Sequence, residues 1–201
     1  MLIETPILEG ATLRLEPLSE SHLPGLGKIA FDDRIWHYML TVVKTPEDLR
    51  GWLDSALQAK AAGNTLPWAT VLKNENRVIG STRFLDLDLK NRTVEIGHTW
   101  LAPEFHGAEL NPEAKLLQLT YAFEELKMNR VALKTHHQNL QSQAAMRKMG
   151  AIEEGTFRNH YVMPDGSLRH SVWFSIIRED WSQVKSRLEE RLQRKKTPVS
   201  A

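Results

Sequence analysis

The segment EFHGAELNPEA, residues 104–114, has the residue types of a loop that holds a phosphate. It lies between an extended apolar run and a helical one, and a helix N-terminus offers unpaired N–H donors and a partial positive charge. A glycine-bearing loop before the helix adds backbone donors, which need no particular side chain. Glu109, however, stands where such a loop favours glycine. Taken alone, the segment favours a plain strand-to-helix connection.

Two groups capable of proton transfer precede this loop. Glu95 and His98 lie in TVEIGHTWLAP, a segment with the composition of a strand. Histidine titrates in the range useful for a base, although a histidine on a half-buried strand is more often structural. The period of two along a strand places the two side chains on opposite faces unless the strand bulges between them.

A second group of polar residues lies on a predicted hairpin, residues 155–177, around the turn PDGS. Its members are Arg158, His160, Arg169 and His170. Alternating charged residues on a hairpin favour a solvated face. The alternative is a substrate pocket between this hairpin and the aromatic loop that contains Trp36, His37 and Tyr38. His136 and His137 do not predict a metal site, because adjacent residues on an extended segment point apart and no carboxylate partner is evident.

The elements that position these residues follow from periodicity and from turn and cap signals. Seven strands are predicted at residues 12–18, 66–73, 77–87, 93–103, 130–135, 155–163 and 168–177. Helices are predicted at 45–63, 111–126, 139–150 and 178–196, after a short broken helix near residue 20. A meander of strands followed by strands that alternate with helices predicts an α/β (α+β) fold. Its sheet is mixed, mostly antiparallel and flanked by helices.

Three helix boundaries carry specific signals. Thr45 is expected to cap the first long helix, with Pro46 at its first position and Asp48 completing a capping box. Asn111 is expected to cap the helix after the loop, with Pro112 at its first position. Gly150 is expected to end the helix that begins near residue 139.

Composition limits the classes of function. The 201 residues suffice for one domain with a substantial core, and a net charge of +1 implies neither a nucleic-acid partner nor a membrane. The absence of cysteine excludes disulfides, thiolate nucleophiles and cysteine-based zinc sites. The N-terminus does not have the pattern of a signal peptide, and no run is long enough to span a membrane, so a cytoplasmic protein is expected.

Four segments in this order resemble the GNAT superfamily of acetyl-coenzyme A-dependent N-acetyltransferases, and more closely its RimJ/RimL branch of ribosomal-protein N-acetyltransferases. They are EIGHTWLAPEFHG (95–107), NPEAKLLQLTYAFEEL (111–126), KTHHQNLQSQAAMRKMGAIEEG (134–155) and RNHYVMPDGSLRHSVWFSI (158–176). The likeness extends from about residue 10 to 178. It implies a GNAT-like domain over 1–178, followed by a C-terminal helix and basic tail over 179–201.

The resemblance implies a sheet that splays between its fourth and fifth strands, which end near Leu101 and Thr135. The pantetheine arm of acetyl-coenzyme A would lie in that gap, and its pyrophosphate on the loop at 105–111. No metal is implied. The residues then expected to bind the coenzyme are Leu101, through its backbone, His106, Gly107, Ala108, Glu109, Leu110, Asn111, Asn139 and Ser142.

The loop misses the superfamily pattern of Arg or Gln, two residues, Gly, one residue, then Gly or Ala. His106, Glu109 and Asn111 occupy those three positions. A left-handed backbone at Glu109 would cost about 1–2 kcal/mol. Its carboxylate about 4 Å from a phosphate would cost roughly 1 kcal/mol in water. We therefore expect the loop to bind coenzyme about tenfold more weakly than its relatives do, and Glu109→Gly to tighten binding.

Family likeness also implies the chemical roles. Met146 stands where many relatives have a tyrosine general acid, whereas Asn139 and Ser142 match an Asn-x-x-Ser arrangement that serves the thioester end, with Ser142 as proton donor. An alkyl ammonium with a pKa near 10.4 must lose a proton before attack. Glu95, His98 and a water chain without a dedicated base are the alternatives for removing it.

The resulting prediction is an N-acetyltransferase that moves acetyl directly to a primary amine, either a protein N-terminus or a small molecule. Trp36, Tyr38, Arg158 and His160 are the expected acceptor-binding residues. Two rivals remain: a catalytically weak acyl-coenzyme A sensor or scaffold, and a ribosome-associated protein that uses its basic tail. The oligomeric state stays open, with a homodimer as one alternative.

Overall fold

The computed structural model describes residues 4–194. The last part of the predicted C-terminal helix and basic tail (179–201), residues 195–201, lies outside these residues. In chain order the elements are β1 (Leu8–Glu9), β2 (Leu13–Pro17), α1 (Leu23–Leu26), α2 (Asp33–Trp36), α3 (Pro46–Ala61), β3 (Leu66–Leu72), β4 (Arg77–Asp88), β5 (Thr93–Leu101), α4 (Leu110–Thr120), β6 (Arg130–His136), α5 (Leu140–Met149), β7 (Ile152–Val162), β8 (Leu168–Ile177) and α6 (Trp181–Arg194).

The strands form one mixed sheet in the order β1-β2-β3-β4-β5-β6-β8-β7. All neighbours pair antiparallel except β5 and β6, which are parallel. Their pairing covers only Thr93–Ile96 opposite Arg130–Leu133, so the C-terminal ends of both strands run on without a shared ladder. The predicted fold class is therefore confirmed. Because the short strand β1 was not predicted, the predicted fourth and fifth strands are β5 and β6.

Helices cover both faces of the sheet and bury a separate cluster on each. The larger cluster joins α4, α5 and α6 to one face and contains Leu119, Phe123 and Trp181. Phe123 and Trp181 stack with ring centroids 5.3 Å apart, which attaches α6 to the segment after α4. The other cluster places α3 on the opposite face, where Trp52 meets Trp100 of β5. Residues of α6 are part of the main cluster. The division of the chain into a domain over 1–178 and a C-terminal segment stays a prediction.

Local signals set most of the helix boundaries. Thr45 Oγ1 accepts from Asp48 N at 3.1 Å and Asp48 accepts from Thr45 N at 3.0 Å, so the predicted capping box is confirmed. Gly150 ends α5 in a left-handed conformation with φ of 111°, as expected of a C-terminal glycine. The prediction for α4 is wrong, because the helix begins at Leu110 with Glu109 in the cap position. Asn111 is consequently the second residue of the helix.

A bulge interrupts β5 at His98. Arg83 pairs with Gly97 and Ser81 with Trp100, so His98 and Thr99 together oppose the single residue Thr82. His98 has a positive φ of 46°, which marks the extra residue. The bulge reverses the alternation of side chains, and Trp100 therefore faces α3 while Thr99 faces α4.

Candidate functional site

The loop before α4 presents backbone donors at a helix N-terminus. Within the described part of the chain, the amides of Gly107, Leu110 and Asn111 have no backbone acceptor, whereas Ala108 N donates to Phe105 O at 3.2 Å. Gly107 takes the left-handed conformation with φ of 81°, and a Cβ there would meet nothing within 4 Å. The loop therefore has room for a ligand above its glycine, and the donor expected from Ala108 is used internally.

Glu109 differs from the expectation in two respects. Its φ is −76°, so the predicted cost of a left-handed backbone is wrong, and the residue that needs that conformation is Gly107. Its carboxylate also forms a two-point ion pair with Arg191 of α6, through Nε and, at 3.2 Å, through Nη2. Because Arg191 offsets the negative charge, the repulsion of a phosphate by Glu109 is smaller than a bare carboxylate would give.

The gap between β5 and β6 contains a backbone donor. Ala102 N donates to Ile79 O at 2.8 Å, so the backbone groups of Ala102 point toward β4. Because successive residues direct their N–H and C=O groups to alternate sides, those of Leu101 point toward β6. The ring of His106 binds the Leu101 carbonyl through Nε2 at 3.0 Å. The N–H of Leu101 thus faces the open end of the gap, and its role in polarising a thioester stays a prediction.

Asn139 and Ser142 lie at the start of α5, beside the end of β6. Asn139 is the N-cap and its Oδ1 accepts from Ser142 N at 3.0 Å, which leaves Nδ2 as the donor for a ligand. The half-buried Ser142 hydroxyl has no hydrogen-bond partner among residues 4–194. Gln143 Nε2 donates to His137 O at 2.7 Å and ties α5 to the segment after β6. Met146 packs partly against the main core.

Glu95 is buried at the base of the gap and paired with a residue that the sequence analysis did not single out. Its Oε2 lies 2.7 Å from Nζ of Lys134 on the neighbouring strand β6. Burial raises the pKa of Glu95 above its ordinary value, although Lys134 opposes the rise. Burial lowers the pKa of Lys134, but the Glu95 carboxylate more than offsets this and the net change is upward. A carboxylate with a raised pKa suits a general base.

The bulge determines the surroundings of His98. Burial, together with charge repulsion from Arg83, Lys134 and Arg169, lowers the pKa of His98 to about 4. The imidazole is consequently neutral at pH 7. Lys134 and Arg169 act on both Glu95 and His98, so the two candidate bases share one electrostatic environment.

The hairpin β7–β8 meets the aromatic loop at one point. Arg169 is buried and its Nη1 donates to Tyr38 O at 3.1 Å. The ring of Tyr38 packs on His136 with centroids 5.3 Å apart. His160 packs on Trp173, and burial lowers its pKa. Arg158 is exposed on the same strand as His160.

Trp36 lies apart from this group. It is 2% exposed, and its Nε1 donates to Ala30 O at 2.6 Å. The ring packs on Trp100 at 5.3 Å. The structure therefore places Trp36 in the core, and its part in acceptor binding stays a prediction.

Sequence reasoning missed Arg83 and Lys134. Arg83 is 4% exposed and lies over the ring of Trp52 at 4.6 Å. A signal was available, because each is a charged residue inside an apolar strand segment, RFLDL and VALKT. Charged residues are almost never fully buried without a partner or a function.

Metal-binding groups and membrane-spanning helices are both absent between residues 4 and 194. No group of three potential ligands among its His, Asp and Glu side chains could hold a metal ion. None of its helices has the length and apolar character needed to cross a bilayer.

Comparison with known proteins identifies relatives of the chain. The family model described as "Acetyltransferase (GNAT) domain" matches residues 12–152. YdaF of Bacillus subtilis (strain 168), provisionally named a ribosomal N-acetyltransferase, is 34% identical over 111 residues, which are 55% of this chain and 60% of YdaF. This match thus covers less than two thirds of YdaF.

Solved structures agree over nearly the whole chain. A crystal structure from T. thermophilus, provisionally described as an acetyltransferase, is 34% identical with a TM-score of 0.87 and covers 96% of this chain and 100% of that chain. The apo structure of RimL, a ribosomal L7/L12 alpha-N-protein acetyltransferase, has a TM-score of 0.76 at 19% identity. It covers 86% of this chain and 94% of that chain, and shows the shared fold.

Proposed function

The chain belongs to the GNAT acetyltransferase family, with RimJ/RimL-like relatives, and we propose that it transfers acetyl from acetyl-coenzyme A directly to a primary amine. Family membership makes it an acyltransferase. The observation that most supports the use of acetyl-coenzyme A is the early end of pairing between β5 and β6, with Leu101 N–H directed into the gap. The loop before α4 would supply the matching anion site for the pyrophosphate.

The thioester end of the gap would be served by backbone and polar groups. Leu101 N–H would donate to the thioester oxygen, whose negative charge grows in the transition state. Asn139 Nδ2 would orient the pantetheine amides. Ser142, whose hydroxyl has no partner in the described chain, would donate the proton that the departing thiolate takes up. The half-buried Met146 cannot do so, because a thioether carries no proton.

The acceptor amine would lose its proton on the α3 side of β5. Glu95 is the stronger candidate for this step, because burial raises its pKa. The neutral His98 is weakly basic, since its pKa is about 4. The cations Lys134 and Arg169 next to both groups would also lower the pKa of an incoming ammonium, which raises the neutral fraction that can attack. A water chain could then complete the transfer without a dedicated base.

The acceptor is proposed as a protein N-terminus or a small amine. The printed names of YdaF and RimL support the first alternative, because both refer to ribosomal acetylation. We expect such an acceptor to bind beside Tyr38, His160 and Arg158. A cytoplasmic location is proposed with it.

Release of free thiol from acetyl-coenzyme A in the presence of a panel of amines and N-terminal peptides tests the proposal. We expect thiol release that depends on the amine and falls by about 10²-fold or more in Glu95→Gln. Tight binding of acetyl-coenzyme A without turnover on any amine would contradict the proposal and favour a coenzyme sensor. Retained activity in Glu95→Gln would instead favour the water chain.

A further inference from the structure

The face of the sheet next to Glu95 carries more positive than negative charge. Arg83 of β4, Lys134 of β6 and Arg169 of β8 lie around this face, and Glu95 is the buried carboxylate among them. Gly97 is the cross-strand partner of Arg83, and a Cβ on Gly97 would lie 2.9 Å from Glu95 Oε1. The carboxylate therefore lies over Gly97, on the face of the sheet that also carries Arg83, and the exposed carboxylate of Asp86 acts on it as a second negative charge. Glu95 forms its ion pair with Lys134, so that Arg83 and Arg169 have no ion-pair partner among the described residues.

Arg83 is the least compensated of these cations. In the described chain its guanidinium forms no hydrogen bond, and its Nε and Nη2 are both sealed from solvent without a partner. The ring of Trp52 is its stabilising contact, with the guanidinium carbon 4.6 Å from the centroid. Burial lowers the pKa of Arg83 to about 10. A buried cation is costly unless a charge or a set of acceptors matches it.

Arg169 is buried among neutral partners. Its Nε donates to Ser171 Oγ at 3.1 Å and its Nη1 donates to the Tyr38 carbonyl at 3.1 Å. Its guanidinium also lies 5.9 Å from the ring of Tyr161. These contacts orient the guanidinium. Glu95 attracts it as a nearby charge, but no carboxylate among residues 4–194 forms an ion pair with it.

We propose that this face recognises an anionic group on the acceptor itself, namely a carboxylate carried close to the amine. The proposal rests on the proposed function and specifies its substrate class. Arg83 and Arg169 would bind the carboxylate while Glu95 stays paired with Lys134. A carboxylate fits the planar fork of a guanidinium through two hydrogen bonds. The amines that meet this requirement are α-amino acids and peptides that begin with Asp or Glu.

Unpaired donors support the same assignment. The buried Nε1 of Trp173 has no hydrogen-bond acceptor in the described chain. Trp173 lies directly opposite Lys134 in the ladder between β6 and β8, so its donor belongs to the same face. An indole N–H can only donate a hydrogen bond, and an ionised carboxylate can only accept one. Cations and an unused donor on one face of the sheet are therefore complementary to an acceptor that carries a carboxylate.

The test compares acceptors that differ only by a carboxylate or an amide. Peptides with N-terminal Asp or Asn form one arm, and free alanine or alaninamide, which differ at the carboxylate next to the amine, form the other, so that the two arms separate the peptide source from the small-molecule source. We expect kcat/KM to favour the carboxylate by about 10- to 100-fold in at least one arm. Equal kcat/KM values for both members in both arms would overturn the inference and leave acetyl transfer intact.

Variants assign the discrimination to the two arginines. Arg83→Met and Arg169→Gln should each reduce the carboxylate-to-amide ratio of kcat/KM about tenfold, whatever their effect on the overall rate. The ratio is taken on one enzyme preparation, so a smaller folded fraction does not alter it. Arg83→Lys keeps the charge without the fork and should retain part of the ratio. Arg50→Gln, on the exposed surface of α3, is the matched control and should keep the full ratio. A ratio unchanged in Arg83→Met and Arg169→Gln would refute the assignment.

Binding keeps the inference testable if no amine is acetylated. Calorimetry of the full chain with the same carboxylate and amide pairs would then measure recognition alone. Tighter binding of the carboxylate members that is lost in Arg169→Gln would support the carboxylate-binding site and contradict only the proposed transfer reaction. Equal binding of both members overturns the inference.

Discussion

Arg191 lies on α6 and pairs with Glu109 at the cap of α4, so it decides whether the loop before α4 attracts or repels a phosphate. Arg191→Gln removes the cation and leaves the carboxylate at the helix N-terminus. If the pyrophosphate of acetyl-coenzyme A rests on this loop, the variant must bind it more weakly. The prediction follows from the pair and could not be made from the loop segment alone.

The magnitude follows from the exposure of the pair. The Glu109 and Arg191 side chains are 18% and 24% exposed, so solvent reaches both. An unmatched carboxylate about 4 Å from a phosphate costs roughly 1 kcal/mol in water and about 4 kcal/mol at an intermediate dielectric. Because solvent screens this site, the lower part of that range applies. The Kd for acetyl-coenzyme A should rise about tenfold.

Calorimetry at low ionic strength measures the change, and about 1 M salt should reduce it by screening. Glu109→Gln combined with Arg191→Gln should return Kd to within about twofold of the natural chain, because the repelling charge is gone. A double variant as weak as Arg191→Gln would show that Arg191 contacts the phosphate directly. Arg187→Gln, exposed one turn earlier on α6, is the control. An unchanged Kd in Arg191→Gln would refute the reasoning.

Further predictions concern stability, the proton donor and pH. Burial lowers the pKa of Lys115 from 10.5 to about 7, so the unfolded chain binds more protons between these values and stability should rise with pH across that window, by up to about 5 kcal/mol. The free energy of unfolding, measured with urea at pH 7 and 9, should not rise in Lys115→Met but should still rise in the exposed control Lys148→Met. An equal rise in both variants would contradict the assignment. Ser142→Ala should lower kcat about 10²-fold without changing the unfolding temperature, and unchanged kcat would exclude it as proton donor. Asn139→Ala should lose about 1 kcal/mol of stability with its cap, as measured by urea unfolding. His98→Gln should not alter the pH dependence of kcat/KM between about pH 6 and 8, because the pKa of His98 is about 4. Loss of a pH-dependent change in kcat/KM in this variant would contradict the prediction.

Local rules account for the elements that the sequence predicted correctly. The capping box at Thr45 and the glycine stop at Gly150 depend on residues within one helical turn, and the structure has both. The strand between Thr93 and Leu101 was predicted with its two candidate bases on opposite faces unless a bulge intervened. The structure contains that bulge, which a pattern with period two cannot locate.

The errors arise where distant residues decide. Asn111 is the better cap by residue type, but α4 begins earlier, at Leu110, and the Glu109 carboxylate pairs with Arg191, a residue 82 positions away. Burial of Arg83 and Arg169 depends on α3 and on the aromatic loop, neither of which adjoins them in sequence. Spacing rules extend over about four residues along a helix, so these contacts are invisible to them.

The central claim, direct transfer of acetyl to an amine, is tested most directly by mass spectrometry of one reaction mixture. The full chain, acetyl-coenzyme A and a carboxylate-bearing amine are incubated together, and the masses of acceptor and enzyme are followed beside thiol release. We predict one acetyl group gained by the acceptor for each coenzyme A released, with the enzyme mass unchanged. Thiol release without an acetylated acceptor, or a stable acetylated enzyme that forms in its place, would contradict the claim.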